Sequence, residues 1–143
     1  MSEDLYTILK KGLNFNDIKI DTYSPLSLAF IGDSVYELII RSRFVSEGNC
    51  AVNKLNKKSS DMACAKMQAS LIDILMDELK EDEVKIFKRG RNAKSYSKAK
   101  NATYNEYRRA TGFEALIGYL YLTGRTDRIV ELLNIGFNKV TGE

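Results

Sequence analysis

Apolar residues recur every three or four positions along almost the whole chain, which is the spacing of one face of an α-helix. No run shows the strict alternation of apolar and polar residues that is typical of a half-buried strand. The sequence has a single proline and no internal repeat. These patterns predict an all-α fold.

Local signals place the ends of the first two helices. Apolar residues at positions 5–9 predict a short helix that ends near Gly12. Ser24 can cap a second helix, and Pro25 suits its first turn because an N–H at that position would have no helical partner. The helical spacing of apolar residues then continues, so this helix should reach about Ser46.

The middle of the chain is predicted to be helical with interruptions. A helical pattern begins at Ala51 and is expected to break near residues 58–60. Residues 80–82 predict a turn into a short helix that ends near residue 87. From residue 88 to residue 100 the chain has glycine, asparagine and few apolar anchors, so an exposed loop is expected there.

Two further helices complete the predicted bundle. A long helix should run from about Thr103 to Thr123, with Gly124 as its left-handed stop. Thr126 or Asp127 can cap the last helix, which carries a core-facing apolar stripe.

Composition limits the chemistry that the protein can perform. The 143 residues are 44% apolar and 29% charged, which is ordinary globular usage and predicts one domain over residues 1–143. The chain has no histidine, so Ser-His and Cys-His catalytic pairs and imidazole zinc sites are excluded. Proton or metal chemistry must use carboxylates, lysine, tyrosine, cysteine or the backbone.

The cysteines and the first residues of the chain indicate the cellular compartment in which the protein is expected. Cys50 and Cys64 lack a CxxC spacing, so we expect two reduced thiols in or near the core, which favours a reducing compartment. The first residues are acidic, unlike a signal peptide. No apolar run approaches the roughly 18 residues that a membrane span needs. The sequence predicts a cytoplasmic protein with no membrane contact.

Charge is concentrated in one segment. Residues 88–109 contain eight lysines and arginines against one glutamate, a net charge of +7, so the rest of the chain carries −4. Such a segment is a candidate surface for a polyanion, because each neutralised phosphate releases condensed counterions. The alternative is a solvated basic loop without a partner.

Two carboxylates lie inside apolar segments, where an unpaired charge is expensive. Asp33 follows Gly32, and Glu114 lies between Gly112 and Gly118. Glycine lets helices approach closely, so two helices that cross at these residues would bring Asp33 and Glu114 together. The two carboxylates suit Mg²⁺, a cation that prefers oxygen ligands.

The roles of these acids remain open at this level. Glu37 falls on the same helix face as Asp33 and is a further candidate ligand, although Arg41 can pair with it instead. Asp33 and Glu114 can likewise be structural carboxylates, each paired with a lysine or arginine.

Three separated motifs resemble the Mini-ribonuclease III family, the branch of the ribonuclease III superfamily that consists of the catalytic domain alone. They are Ile-Gly-Asp-Ser-Val-Tyr-Glu at 31–37, Arg-Gly-Arg-Asn-Ala-Lys at 89–94 and Phe-Glu-Ala-Leu-Ile-Gly at 113–118. The resemblance runs from about Leu26 to the last helix. It implies a ribonuclease III-like helical bundle, a two-fold homodimer formed through the helix of the Gly-Asp motif, and no room for a double-stranded RNA-binding domain.

The resemblance also implies that the protein is an Mg²⁺-dependent endoribonuclease, with Mn²⁺ as a substitute. It implies cleavage of double-stranded RNA that leaves 5′-phosphate and 3′-hydroxyl ends, and a role in maturing the precursor of 23S ribosomal RNA. Asp33 and Glu114 match the catalytic, metal-binding positions, with Glu37 as a further metal candidate. The implied RNA-binding residues are Arg89, Arg91, Asn92, Lys94, Lys98 and Lys100.

Departures from full-length ribonucleases III make the acidic site leaner. Those enzymes carry acids four and seven positions before the aspartate, where this chain has Ala29 and Leu26, and usually one three positions before the glutamate, where it has Thr111. The alternative function is a non-catalytic helical module that binds double-stranded RNA.

Overall fold

The computed structural model describes residues 3–94 and 102–142, and in these two ranges it contains helices and no strand. The all-α prediction is confirmed. Short 3₁₀ turns lie at Ile20–Thr22 and Met76–Glu78. The α-helices are α1 (Leu5–Leu13), α2 (Pro25–Ser46), α3 (Val52–Ala63), α4 (Ala65–Leu75), α5 (Glu81–Asn92), α6 (Tyr104–Leu122) and α7 (Thr126–Thr141). No helix in the described ranges is long and apolar enough to cross a bilayer.

The two longest helices begin where local sequence signals place them. In α2 the Ser27 N–H donates to Ser24 Oγ over 3.1 Å, and Pro25 is the first helical residue. In α6 the N–H of Glu106 donates to the Thr103 hydroxyl, and the N–H of Thr103 donates to the Glu106 carboxylate. These reciprocal bonds form a capping box. The starts of α2 and α6 were predictable because the capping signals are local.

The interruption between α3 and α4 lies at Cys64, so the prediction of a break near residues 58–60 is wrong. Residues 58–60 stay helical because Ser59 is buried in the packing of α3. The extended backbone of Cys64 then separates the two helices. Both cysteines are free. Cys64 is exposed, and Cys50 is half-buried.

The basic residues 88–92 are helical, which corrects the expectation of a loop from residue 88. They form the last turn and a half of α5. Gly90 is buried there against α6, and a Cβ on it would lie 2.8 Å from Gly112 Cα. This close packing replaces the apolar anchors that the sequence lacks. The helix ends at Asn92, and residues 95–101 lie outside the described ranges.

The start of α7 also differs from the prediction. Thr126 and Asp127 are the first residues of the helix, and neither side chain caps it. Arg125 occupies the capping position, with its carbonyl accepting from the Arg128 and Ile129 N–H groups. The apolar stripe of α7 faces the core as expected, with Leu132 among its buried residues.

A buried ion pair fixes α5 to α7. Glu83 is 0% exposed, and its carboxylate accepts hydrogen bonds from Arg128 Nε and Nη2 at 2.9 and 2.8 Å. Burial alone would raise the pKa of Glu83, but the bonds from Arg128 and from the Lys80 N–H outweigh it and hold the pKa below its ordinary value. Because removing one partner would strand a buried charge, this pair sets where α5 lies.

Helix α6 is the centre of the molecule, and α2, α4, α5 and α7 pack around it. The α2–α6 crossing is made by glycine. A Cβ on Gly32 would lie 1.8 Å from the Glu114 carbonyl oxygen, and a Cβ on Gly118 would lie 2.0 Å from the Leu28 carbonyl oxygen. The two backbones therefore touch, and the core forms beside this contact, where Tyr36 meets Phe113 edge to face at 5.3 Å.

Replacing Gly32 with alanine should destabilise the protein by about 3 kcal/mol or more, because the obstructing atoms are backbone and cannot rotate away. Gly12→Ala is the matched control, since a Cβ there meets nothing within 4 Å, and it should be neutral or stabilising by up to about 1 kcal/mol. Urea unfolding at one protein concentration measures both. Equal stability of Gly32→Ala and wild type would show that the crossing can open at little cost.

Candidate active site

The glycine crossing brings the carboxyl groups of Asp33 and Glu114 together. Gly32 lies against the backbone of Glu114, so the next residue on α2 projects beside the glutamate side chain. The two carboxyl groups lie close enough for Asp33 to raise the pKa of Glu114. Asp33 is exposed and Glu114 is half-buried, so the pair lies at the surface end of the α2–α6 contact.

The pKa of Glu114 lies well above its ordinary value. Burial is the largest cause of its rise to about 9, and the neighbouring Asp33 carboxyl group acts in the same direction. The amide of Gln68 opposes the shift by donating to the carboxylate. A pKa of about 9 favours the neutral form of the Glu114 carboxyl group at pH 7.

Neither carboxylate forms an ion pair with a lysine or arginine among the residues that the structure describes. A structural ion pair, which the sequence left open, is therefore not what brings Asp33 and Glu114 together there. Two adjacent carboxyl groups form a site that a divalent cation can occupy, since its charge matches that of two carboxylates.

Glu37 lies one turn beyond Asp33 on α2 and faces a different partner. Arg41 Nε donates to its Oε2 over 2.9 Å. Its negative charge still acts on Glu114. Within the described ranges no three acidic or sulfur side chains come close enough to enclose a metal, so the structure presents a two-carboxylate centre with Glu37 beside it.

Gln68 completes the surroundings of Glu114, and the sequence analysis missed it. Its side chain is 2% exposed, and its Nε2 lies 3.5 Å from Glu114 Oε2. The available signal was a polar residue on the buried face of α4, beside Ala69 and Leu71. The identity of its partner could not be predicted, because Glu114 is distant in sequence.

The basic candidates lie at the C-terminal end of α5, and several of them make internal contacts. Arg89 Nη2 donates to the Tyr23 carbonyl over 3.2 Å, and Arg91 Nε donates to Asn92 Oδ1 over 3.2 Å. Lys94 is exposed. Of the remaining candidates, Lys98 and Lys100 fall outside the described ranges.

Arg108 of α6 also binds the C-terminal end of α5. Arg108 Nε donates to the Arg91 carbonyl over 2.9 Å, and Arg108 Nη2 donates to Asn92 Oδ1 over 3.1 Å. Asn92 thus accepts from two guanidinium groups. Since Gly90 packs against Ala115, the neighbour of Glu114, the basic end of α5 lies next to the turn of α6 that carries the acidic site.

Comparisons with known proteins point to one family. The model of the Ribonuclease III domain family matches residues 26–125. Mini-ribonuclease 3 of Brevibacillus brevis is 48% identical over 84% of this chain and 90% of its own length. Mini-ribonuclease 3 of Clostridium tetani is 44% identical over 89% of this chain and 85% of its own length.

A solved structure agrees with the fold. A crystal structure of a protein from Fusobacterium nucleatum superposes with a TM-score of 0.76 and 33% identity, covering 86% of this chain and 98% of that chain. The prediction of a ribonuclease III-like helical bundle is confirmed. The chain therefore belongs to the ribonuclease III family and, within it, to the Mini-ribonucleases 3.

Proposed function

We propose that residues 1–143 act as one catalytic domain, an endoribonuclease that cleaves double-stranded RNA to leave 5′-phosphate and 3′-hydroxyl ends. The observation that carries the proposal is the Asp33–Glu114 pair, held at a backbone-to-backbone crossing with no basic partner in the described ranges. Membership of the ribonuclease III family supports it. A non-catalytic binding module would have no use for two adjacent carboxyl groups that burial keeps partly protonated.

The donor set of the pair fits Mg²⁺, with Mn²⁺ as a substitute, because it consists of carboxylate oxygens alone. Asp33 and Glu114 would hold the cation, and Glu114, whose pKa is raised to about 9, would lose its proton to solvent as the cation binds. When bound, the cation supplies the positive charge that activates water and stabilises charge developing on the leaving 3′-oxygen. Exposed Asp33 lies on the side from which a phosphodiester can approach, while half-buried Glu114 is fixed by α6.

Asp33→Asn and Glu114→Gln should each lower kcat on duplex RNA by more than about 100-fold, since even residues that only orient metal ligands are worth about 10–100-fold. Both variants keep the size of the side chain, so folding and RNA binding should persist. Gel analysis of a radiolabelled duplex in Mg²⁺ measures cleavage, and EDTA should abolish it.

The exposed Asp77 provides a matched control, because it is not among the groups that act on the pKa of Glu114, and Asp77→Asn should cleave like wild type. Wild-type cleavage by Asp33→Asn would contradict the assignment. We further propose that the protein works in the cytoplasm on the precursor of 23S ribosomal RNA. In cells whose only copy is Asp33→Asn, 23S ends mapped by primer extension should stay immature.

The basic end of α5 is the proposed contact surface for the duplex. A-form RNA presents a wide, shallow minor groove with phosphates and 2′-hydroxyls, which charged side chains recognise by shape. Arg91 and Lys94 lie beside the turn of α6 that carries Glu114, so phosphates bound there would lie close to the acidic pair. Arg89, Asn92, Lys98 and Lys100 belong to the same proposed surface.

Lys94→Gln should raise KM for duplex RNA and reduce the slope of log affinity against log salt by about one unit, with kcat unchanged, because one phosphate contact is lost. Arg91→Gln should do the same. Lys139→Gln, which removes an exposed cation from the end of α7, is the control and should leave the slope unchanged. Filter binding from about 50 to about 300 mM salt measures the slope for each variant. Unchanged slopes for Lys94→Gln and Arg91→Gln would remove this surface from RNA binding.

We also propose a two-fold homodimer through α2. Leu26, Phe30 and Leu38 are 39%, 80% and 53% exposed, and they lie at multiples of four residues on one face of the helix. Exposed apolar side chains in a row mark an interaction surface, and a two-fold interface pairs such a face with itself. Since Asp33 lies on the same helix, a dimer would place two acidic pairs along one duplex, one for each strand.

Phe30→Asp and Leu38→Asp should each convert the dimer to monomer, because a charge would be buried in an apolar interface. Light scattering after size exclusion measures the mass. The control is Val52→Asp, which places a charge on an equally exposed apolar residue at the start of α3 and should remain dimeric. A wild-type protein that is monomeric at micromolar concentration would refute the proposed interface.

A further inference from the structure

We infer that Gln68 is a positioning residue for the acidic pair: its amide orients the Glu114 carboxylate for cation binding without adding charge. This inference rests on the proposed function of the Asp33–Glu114 pair. Gln68 is 2% exposed, and its Nε2 approaches Glu114 Oε2 at 3.5 Å. A buried amide group without a partner would lower the stability of the fold by about 1–3 kcal/mol. The contact with the Glu114 carboxylate avoids this cost.

The path of the chain places the amide. Tyr36, on the same helix as Asp33, donates its hydroxyl to the Met62 carbonyl over 2.7 Å and so fixes the end of α3. The extended residue Cys64 then starts α4, and the Gln68 N–H donates to the Cys64 carbonyl over 3.0 Å. Gln68 therefore approaches Glu114 from α4, a helix that carries neither acidic residue of the pair.

The charge of the site explains why an amide serves here. Asp33 and Glu114 together carry −2 once deprotonated, which matches one divalent cation. A lysine or arginine at position 68 would also orient Glu114, but it would repel the cation. A glutamine donates a hydrogen bond to one carboxylate oxygen while leaving the charge at −2. Residues that hydrogen-bond metal ligands in this way commonly contribute about 10–100-fold to metal affinity or activity.

The inference is tested by cation binding to the protein without RNA, measured by titration calorimetry with Mn²⁺. Gln68→Leu removes the donor at similar volume and should weaken Mn²⁺ binding by about tenfold. Gln68→Asn keeps a neutral amide but is one methylene shorter, so its donor no longer reaches Glu114 Oε2 and Mn²⁺ binding should weaken to a similar extent. Ser59→Ala, which removes a buried polar group from α3, is the control and should bind Mn²⁺ like wild type.

Kinetics on duplex RNA provide the second readout. Gln68→Leu should lower kcat at subsaturating Mg²⁺, with partial recovery at high Mg²⁺ and no change in KM for RNA. Equal Mn²⁺ affinity in wild type, Gln68→Leu and Gln68→Asn would overturn the inference even if the wild type cleaves RNA. If Gln68→Leu fails to fold, the Mn²⁺ affinity of Gln68→Asn decides in the same way. Failure of the wild type to cleave would instead refute the proposed function, while the Mn²⁺ titrations still report on Gln68.

Discussion

The contact between the backbones of α2 and α6 is the constraint on which the site depends. Gly32 and Gly118 have no side chains to separate the helices, so carbonyl oxygens lie where a Cβ would be. Gly32 lies against the Glu114 backbone, and Asp33 is the residue after Gly32. Asp33 and Glu114 are consequently held together by the main chain, and burial and the proximity of Asp33 raise the pKa of Glu114. The site proposed to bind a cation is thus formed by the fold itself.

Helix α6 also relates this site to the rest of the molecule. Its buried face receives Gln68 from α4, and its glycine at position 112 receives α5, whose far end carries the basic residues. The Glu83–Arg128 ion pair anchors the other end of α5 to α7. The position of the basic surface relative to Glu114 is therefore set by contacts at both ends of one helix, and each contact is buried.

Most features determined by neighbouring residues were predictable, and most features determined by distant residues were not. Ser24 and Pro25 mark the start of α2 because capping acts within one turn. Residues 88–92 have the composition of a loop, yet they are helical because Gly90 packs on α6. The meeting of Asp33 and Glu114 was anticipated from their glycine neighbours. The contact of Gln68 with Glu114 left no such mark in the sequence.

The internal contacts of the basic segment change the meaning of its charge. Arg89 bonds to the Tyr23 carbonyl, Arg108 closes the end of α5, and Arg109 lies 3.3 Å from the carboxylate of Asp73. These contacts hold the three guanidinium groups against the protein, and the carboxylate of Asp73 offsets the charge of Arg109. The segment therefore presents less free positive charge to a duplex than its net charge of +7 implies. In the proposed homodimer, two such surfaces on one body would contact the same RNA, and each would raise the effective concentration of the other at the duplex.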